Sequence, residues 1–270
     1  MAVELYSFKE IEKIKRACDV VVEVLQAVAK AVRPGISAYE LDMIAREETK
    51  KRGAKPAFLN YKPPFSDERF PASLCVSINE AVVHGLPKKE QIIKEGDIVS
   101  LDFGAYVDGY AGDSAITIAV GEVSKEKEML MKATKEALQE AVKACVPGNW
   151  VSDIVDAIYR VAKKYGVYPL KNLGGHGIGR KVHEDPFIPN HPATLAQEKR
   201  DYKLGLSKDY GYYSSWVYLY GKIARRTYYL LPAYLPSWVL YRYPSLCLLY
   251  KDYAYYHSYY KQNGTHKGKR

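Results

Sequence analysis

The chain has 270 residues, 47% of them hydrophobic, so it is long enough to build one large domain or two small ones around a substantial core. Its formal net charge of +9 is unevenly distributed: residues 199–270 carry 13 Lys and Arg against three Asp, and the residues before them are close to neutral. Because residues 1–198 carry no excess of positive charge, a basic nucleic-acid-binding surface is not expected there.

The four cysteines and the chain termini indicate a cytoplasmic protein. The cysteines are scattered and form no CxxC pair, which is typical of reduced thiols rather than of a secreted disulfide scaffold. The first ten residues include acids and lack the apolar stretch of a signal peptide. Residues 228–250 are apolar but contain three prolines and Arg242, which argues against a membrane-spanning helix.

Capping boxes predict where the first two helices begin. Ser7 and Glu10 form one box, and apolar residues then recur at helical spacing as far as about Val32. Ser37 and Glu40 form a second box, which predicts a helix that ends near Gly53. The other predicted elements are a strand over 73–79, a short segment over 81–83 ending at His84, strands over 98–106 and 110–120 joined by a turn at Asp108-Gly109, and helices over 124–144 and 152–165.

An internal repeat is visible in the positions of glycine and proline. Pro34-Gly35, Gly53 and Pro56 recur, 113 residues later, as Pro147-Gly148, Gly166 and Pro169. A predicted helix precedes each copy. The repeat predicts an α/β (α+β) fold made of two similar halves.

Two aspartates on the predicted strand pair are candidates for a metal site. If the strands fold back about Val107/Asp108, Asp102 lies directly opposite Asp113, with the Cβ atoms about 4.5–5.5 Å apart. Two buried carboxylates this close require a shared proton or a cation. The alternative is that one of the two is a solvent-facing turn residue, and the geometry leaves both interpretations open.

Three histidines accompany these aspartates. His84 ends a Val-Val-His-Gly segment at a predicted strand-to-turn junction, His176 lies in the run Gly-Gly-His-Gly-Ile-Gly, and His183 follows it in Val-His-Glu-Asp-Pro. The missing glycine side chains would allow backbone or substrate to approach closely. A single histidine is more often a structural hydrogen-bonding group than a ligand. The glycine spacing is not the GxGxxG of a phosphate-binding loop.

Taken together, these motifs resemble type I methionine aminopeptidases over about residues 1–190. The matching segments are Ser-Ile-Asn-Glu at 77–80, Val-His-Gly-Leu-Pro at 83–87, the pair Asp102 and Asp113, Gly-His-Gly-Ile-Gly at 175–179 and His-Glu-Asp-Pro at 183–186. The resemblance implies the pita-bread fold, in which two pseudo-symmetric halves combine antiparallel sheet with flanking helices. Prolidases and aminopeptidase P share that fold but carry an additional N-terminal domain.

The resemblance also implies roles for individual residues. Asp102, Asp113 and His176 would bind two divalent ions, of Co, Mn, Fe or Zn, which activate water for attack on the Met-X peptide bond. His84 would contact the scissile amide nitrogen, and His183 would polarise the carbonyl group. The methionine pocket would be lined by Phe70, Cys75 and Val182, although plain core packing explains these three almost equally well.

The C-terminal part departs from the family pattern. The family uses two further glutamate ligands, whereas this chain has no glutamate after Glu198, and 17 of its 25 tyrosines lie in residues 201–270. We interpret residues 1–190 as the catalytic domain and 191–270 as an aberrant basic, Tyr-rich tail, frameshifted or disordered, that leaves the C-terminal half incomplete. With three ligands in place of five, the chain as written is expected to be inactive or poorly folded.

The leading functional prediction is a cytoplasmic, monomeric enzyme that removes methionine from the N-terminus of nascent polypeptides near the ribosome. Neither a membrane nor a nucleic acid is an expected partner. The alternative is a non-catalytic pita-bread binding module whose basic, aromatic tail stacks on RNA.

Overall fold

The computed structural model describes residues 4–62, 67–146, 148–171, 173–194 and the two-residue strand 223–224. The predicted tail, apart from residues 191–194 and that strand, lies outside the described residues, and so does Pro147 of the repeat. The described helices are α1 (Phe8–Ala31), α2 (Ala38–Lys51), α3 (Lys125–Ala144) and α4 (Val151–Tyr165), followed by a single 3-10 turn at Pro192–Thr194. The strands are β1 (Lys55–Pro56), β2 (Leu74–Ile78), β3 (Ile98–Val107), β4 (Tyr110–Ala119), β5 (Tyr168–Pro169), β6 (Gly174–Gly177), β7 (Glu184–Pro189) and β8 (Ile223–Ala224).

The helix starts follow the capping residues that the sequence indicates. The Glu10 carboxylate accepts the Ser7 backbone N–H at 2.8 Å, and the Glu40 carboxylate accepts that of Ser37 at the same distance. Each bond satisfies a backbone donor that the helix itself leaves unpaired. The predicted segment over 81–83 is irregular rather than extended, so the prediction that His84 lies at the end of a strand was wrong.

The repeat predicted from the sequence is present in the fold. The order helix, helix, short strand in α1–α2–β1 returns as α3–α4–β5, and β5 lies exactly 113 residues after β1. Gly53 and Gly166, which follow the second helix of each copy, both have positive φ angles, of 65° and 66°. Glycine adopts this conformation without a steric penalty, which explains why it recurs at that position.

The first sheet packs one of its faces against the helices of the first half. Strand β3 pairs with β1 and β2 along one edge and with β4 along the other, always antiparallel. Alternate residues of β3, including Leu101 and Phe103, are buried in one apolar cluster with residues of α1 and α2. Because side chains alternate across a strand, Asp102 lies on the opposite face, toward the second half.

Helix α1 approaches the sheet very closely at Gly112. A Cβ atom at Gly112 would lie 2.4 Å from the backbone carbon of Ala17. The absence of a side chain therefore sets the spacing between α1 and β4. None of the described helices is both long and apolar enough to cross a bilayer.

Candidate metal and peptidase site

The two candidate aspartates share a face of the β3–β4 hairpin but are not directly opposite each other. Asp102 pairs with Ala115, and Asp113 pairs with Gly104. The predicted register was wrong by two residues because the turn consists of Asp108 and Gly109, both with positive φ, rather than being centred on 107/108. The aspartates are therefore diagonal neighbours, a relation that places Cα atoms about 7–8 Å apart.

Both aspartates are buried, which agrees with the first of the two interpretations that the sequence left open. Asp102 is 3% exposed and Asp113 is fully buried. Burial, and then the negative charge of Asp102, raise the pKa of the Asp113 carboxyl well above its usual range. The pair is therefore costly to ionise unless a positive charge compensates it.

The glycine run of β6 allows two strands to meet closely around His176. A Cβ at Gly174 would lie 2.3 Å from the Ile188 carbonyl oxygen, and one at Gly177 would lie 2.3 Å from that of Asp185. His176 is 3% exposed, and its Nδ1 lies 2.7 Å from the Gly177 carbonyl oxygen. Because a carbonyl only accepts, Nδ1 carries the proton and the metal-binding lone pair is on Nε2.

His183 lies immediately before β7 and beside His176. The two imidazole rings are 4.6 Å apart, centroid to centroid, in an edge-to-face arrangement. The Nδ1 atom of His183 is 2.8 Å from the hydroxyl oxygen of Tyr61, which belongs to the first half. The two histidines predicted from the glycine-rich motif are thus brought together next to a residue that the sequence did not single out.

Two hydrogen bonds attach the turn that carries His183 to the hairpin that carries Asp113. The Val182 backbone N–H donates to the Tyr106 hydroxyl at 3.1 Å, and the Ala111 N–H donates to the Gly179 carbonyl at 2.7 Å. Burial chiefly, with a contribution from the charge of Asp113, raises the pKa of Tyr106. These contacts place the turn that carries His183 against the end of the hairpin nearest its Asp108-Gly109 turn.

His84 is held beside β2. Its φ angle is positive, at 54°, and the following Gly85 is so close to β2 that a Cβ would lie 2.1 Å from the Val76 carbonyl oxygen. The Gly85 carbonyl also accepts the Val76 N–H at 2.9 Å. The backbone thus fixes His84 along the edge of β2 opposite to the one that pairs with β3.

The three predicted pocket residues are buried in one apolar cluster. Phe70, Cys75 and Val182 belong to it together with residues of α3 and α4. Cys75 is also the cross-strand partner of Asp102. Burial raises the pKa of the Cys75 thiol well above its usual range, and the charges of Asp102 and Asp113 raise it further, so this cysteine is a neutral neighbour of the carboxylates. That these three residues contact a methionine side chain stays a prediction.

The candidate ligands fit a divalent cation in donor type, charge and burial. Two buried carboxylates gain most from a cation, and the neutral imidazole of His176 offers Nε2. Among the described residues, however, no three His, Cys, Asp or Glu side chains converge closely enough to hold an ion. Binding by Asp102, Asp113 and His176 would therefore require these side chains to approach each other further.

Comparison with known proteins identifies the family. Residues 12–204 match the model of metallopeptidase family M24. The chain belongs to that family. It is 58% identical over 206 residues to a methionine aminopeptidase of Aquifex aeolicus, which covers 76% of this chain and 80% of that protein. It is 42% identical over 182 residues to a methionine aminopeptidase of Clostridium acetobutylicum, covering 67% and 70%.

Solved structures of M24 proteins confirm the fold class. The crystal structure of a methionine aminopeptidase from Thermotoga maritima superimposes with a TM-score of 0.70 at 33% identity, covering 86% of this chain and 90% of that one. A prolidase from Pyrococcus furiosus, at 21% identity and a TM-score of 0.64, shares the fold. The predicted resemblance and pita-bread architecture are confirmed, and no comparison supports the alternative of an RNA-binding module.

Sequence reasoning missed the tyrosines that join the two halves. The hydroxyl groups of Tyr6 and Tyr106 form hydrogen bonds with the backbone of the turn 179–184, and that of Tyr61 forms one with His183 in the same turn. Tyrosine has no spacing rule that signals such a contact, and the partners are far apart in the chain. No local pattern would have revealed them.

Proposed function

We propose that this M24 protein is a methionine aminopeptidase, a metallopeptidase that hydrolyses the Met-X bond at the N-terminus of newly made proteins. The observation that carries the proposal is the 58% identity to a methionine aminopeptidase over 206 residues. The buried aspartate pair and the adjacent His176 and His183 support the proposal, because carboxylate and imidazole groups are the ligand types of such a metal site.

We assign the roles within the site as follows. Asp102, Asp113 and His176 would hold the metal, and His176 would bind through Nε2. A bound divalent ion supplies a Lewis acid that activates water near neutral pH. His183 and His84 would contact the carbonyl oxygen and the amide nitrogen of the substrate. The methionine side chain would lie against Phe70, Cys75 and Val182.

The number of ions is proposed to be two, of Co, Mn, Fe or Zn. Carboxylate and imidazole ligands suit all four metals, so the donor set does not select one. A metal titration of the purified chain, with the bound ions counted, tests the number. One ion per chain would contradict the two-metal proposal.

The assay is release of methionine from a Met-Ala-Ser peptide with added Co, Mn or Fe. Asp113→Asn should abolish turnover because it removes a carboxylate ligand. The matched control is Asp108→Asn, which makes the same chemical change in an exposed turn residue that pairs with Arg16 at the surface. Equal activity of the two variants would refute the assignment of Asp113 as a ligand. No methionine release by the unchanged protein with any of the metals would contradict the proposal that this chain is itself active and would agree with the loss of the two glutamate ligands.

We also propose that residues 1–190 form the catalytic domain and that residues 191–270 result from a frameshift in the coding sequence. The family match ends at residue 204, near the abrupt change in composition. Read one base later, tyrosine codons become codons for Ile, Thr or Met. Sequencing the DNA tests the idea: an uninterrupted native frame that encodes neither of the family's two further glutamate ligands would exclude it.

We place the enzyme in the cytoplasm, as a monomer that acts on nascent chains near the ribosome, without a membrane or nucleic-acid partner. The scattered cysteines and the near-neutral charge of residues 1–198 support this setting. Cell fractionation and gel filtration of the purified protein test it.

A further inference from the structure

The imidazole of His183 is held by contacts on two sides. On one side is the ring of His176, 4.6 Å away between centroids. On the other is Tyr61, whose ring centroid lies 5.1 Å away and whose hydroxyl oxygen is 2.8 Å from Nδ1 of His183. These contacts fix both the plane of the His183 ring and the environment of one of its nitrogens.

The chemistry of the two partners sets the direction of the Tyr61–His183 hydrogen bond. A neutral imidazole has one nitrogen that accepts and one that donates. An imidazole nitrogen is a much stronger proton acceptor than a phenol oxygen, and a phenol O–H, with a pKa near 10, is a good donor. The favoured arrangement therefore has the Tyr61 hydroxyl donating to Nδ1, which leaves the His183 proton on Nε2.

We infer that Tyr61 is a positioning residue that fixes His183 in the tautomer with its proton on Nε2. The inference rests on the proposed peptidase function for its consequence, because an Nε2–H group is the donor that a substrate carbonyl oxygen requires. A proton on Nδ1 would instead leave Nε2 as a second lone pair, suited to a metal ion.

His176 is held in the opposite tautomer. Its Nδ1 faces the Gly177 carbonyl oxygen at 2.7 Å and must carry the proton, so its Nε2 is the acceptor. The adjacent histidines thus differ in what their Nε2 atoms offer, a lone pair on His176 and a proton on His183. The partner of each Nδ1, a carbonyl in one case and a hydroxyl in the other, assigns one imidazole to the metal and the other to the substrate.

The backbone holds Tyr61 independently of its hydroxyl. The Tyr61 N–H donates to the Phe58 carbonyl at 2.9 Å, and the Tyr61 carbonyl accepts the Phe70 N–H at 2.9 Å. The ring packs, partly buried, against the apolar cluster that contains Phe70. Tyr61→Phe should therefore keep the ring in place and remove only the donor.

The direct test is ¹⁵N NMR of the full-length, metal-free protein, with the His183 signal assigned by its loss in His183→Asn. The spectrum of the unchanged protein should show His183 protonated on Nε2 and His176 protonated on Nδ1. In Tyr61→Phe the Nδ1 resonance of His183 should shift because its hydrogen bond is lost. A proton on Nδ1 of His183 in the unchanged protein, or an identical spectrum in Tyr61→Phe, would overturn the inference.

Kinetics provide the second readout. Loss of the orienting bond should lower kcat for Met-Ala-Ser about tenfold, the effect of one hydrogen bond, with little change in KM. The control is Tyr165→Phe, which removes a tyrosine hydroxyl bonded to Glu136 between α3 and α4, and it should leave kcat unchanged. A rise in KM with kcat unchanged would contradict the positioning role. The NMR spectrum decides the tautomer independently of turnover, so it distinguishes a failure of this inference from a failure of the proposed function.

Discussion

Tyr6 joins the N-terminal segment to the turn that carries His183, and its hydroxyl is the feature we would perturb first. Tyr6 is 2% exposed, and its hydroxyl lies 2.8 Å from both carboxylate oxygens of Glu184. The same oxygen accepts the Arg180 backbone N–H at 3.1 Å. Burial, as the main cause, raises the pKa of Tyr6, so the hydroxyl remains protonated and donates to Glu184. Tyr6→Phe should therefore loosen this turn without removing an apolar ring.

The expected loss follows from the two bonds. A hydrogen bond to a charged group contributes about 1.5–3 kcal/mol, and the Arg180 N–H would lose its partner as well. Glu184 keeps the Lys181 N–H at 2.9 Å, which limits the loss. We expect the free energy of unfolding to fall by about 2 kcal/mol, which corresponds to a decrease in Tm of about 4–8 °C for a domain of this size.

Urea unfolding measures this change, and hydrogen exchange locates it. The Arg180 amide should exchange faster in Tyr6→Phe, whereas amides in α3 should not. The control is Tyr168→Phe, at a side chain that is 62% exposed, which should leave stability within about 0.5 kcal/mol. If Tyr6→Phe were no less stable than this control, or if Arg180 kept its protection, the Tyr6 hydroxyl would not hold the turn.

Three further predictions follow from other contacts. Gly112→Ala should destabilise the protein by about 1–3 kcal/mol in urea unfolding, because the new Cβ would lie 2.4 Å from backbone of α1 that cannot rotate away. Glu10→Gln should lower the free energy of unfolding near neutral pH but not near pH 2, because only the ionised carboxylate makes the stabilising hydrogen bonds. Hydrogen bonds chiefly from the Ser7 backbone and hydroxyl lower the pKa of Glu10 to about 2, so its contribution is full above the unfolded value of 4.5 and disappears as the pH falls toward 2. Asp113→Asn should weaken Mn²⁺ binding in calorimetry while leaving the EDTA-treated protein at least as stable as before, because it removes a like-charge interaction with Asp102.

Each of these has an outcome that contradicts it. A Gly112→Ala protein as stable as the original would mean that α1 shifts at no cost. A Glu10→Gln effect that is the same at pH 6 and pH 2 would show that the charge of Glu10 is not involved. Unchanged Mn²⁺ affinity in Asp113→Asn would remove that carboxylate from the ligand set.

The sequence by itself determined the local elements and the duplication. Ser7 and Ser37 begin α1 and α2 because their capping partners lie three residues away. Gly53 and Gly166 follow the ends of α2 and α4 because only glycine adopts positive φ freely. Such effects act between residues about one helical turn apart, so they can be recognised in the amino-acid sequence. The shared face of Asp102 and Asp113 was likewise predictable from the period of two in a strand.

Only the tertiary structure decided the register of the hairpin and the contacts between the halves. The register depends on which two residues form the turn, and moving the turn by one position, from 107/108 to 108/109, displaces each partner by two. Tyr6 and Glu184 are 178 residues apart, and Tyr61 and His183 are 122 apart. Contacts at such separations arise from the packing of whole elements, and no short-range pattern encodes them. The residues that orient His183 therefore became visible only in the folded molecule.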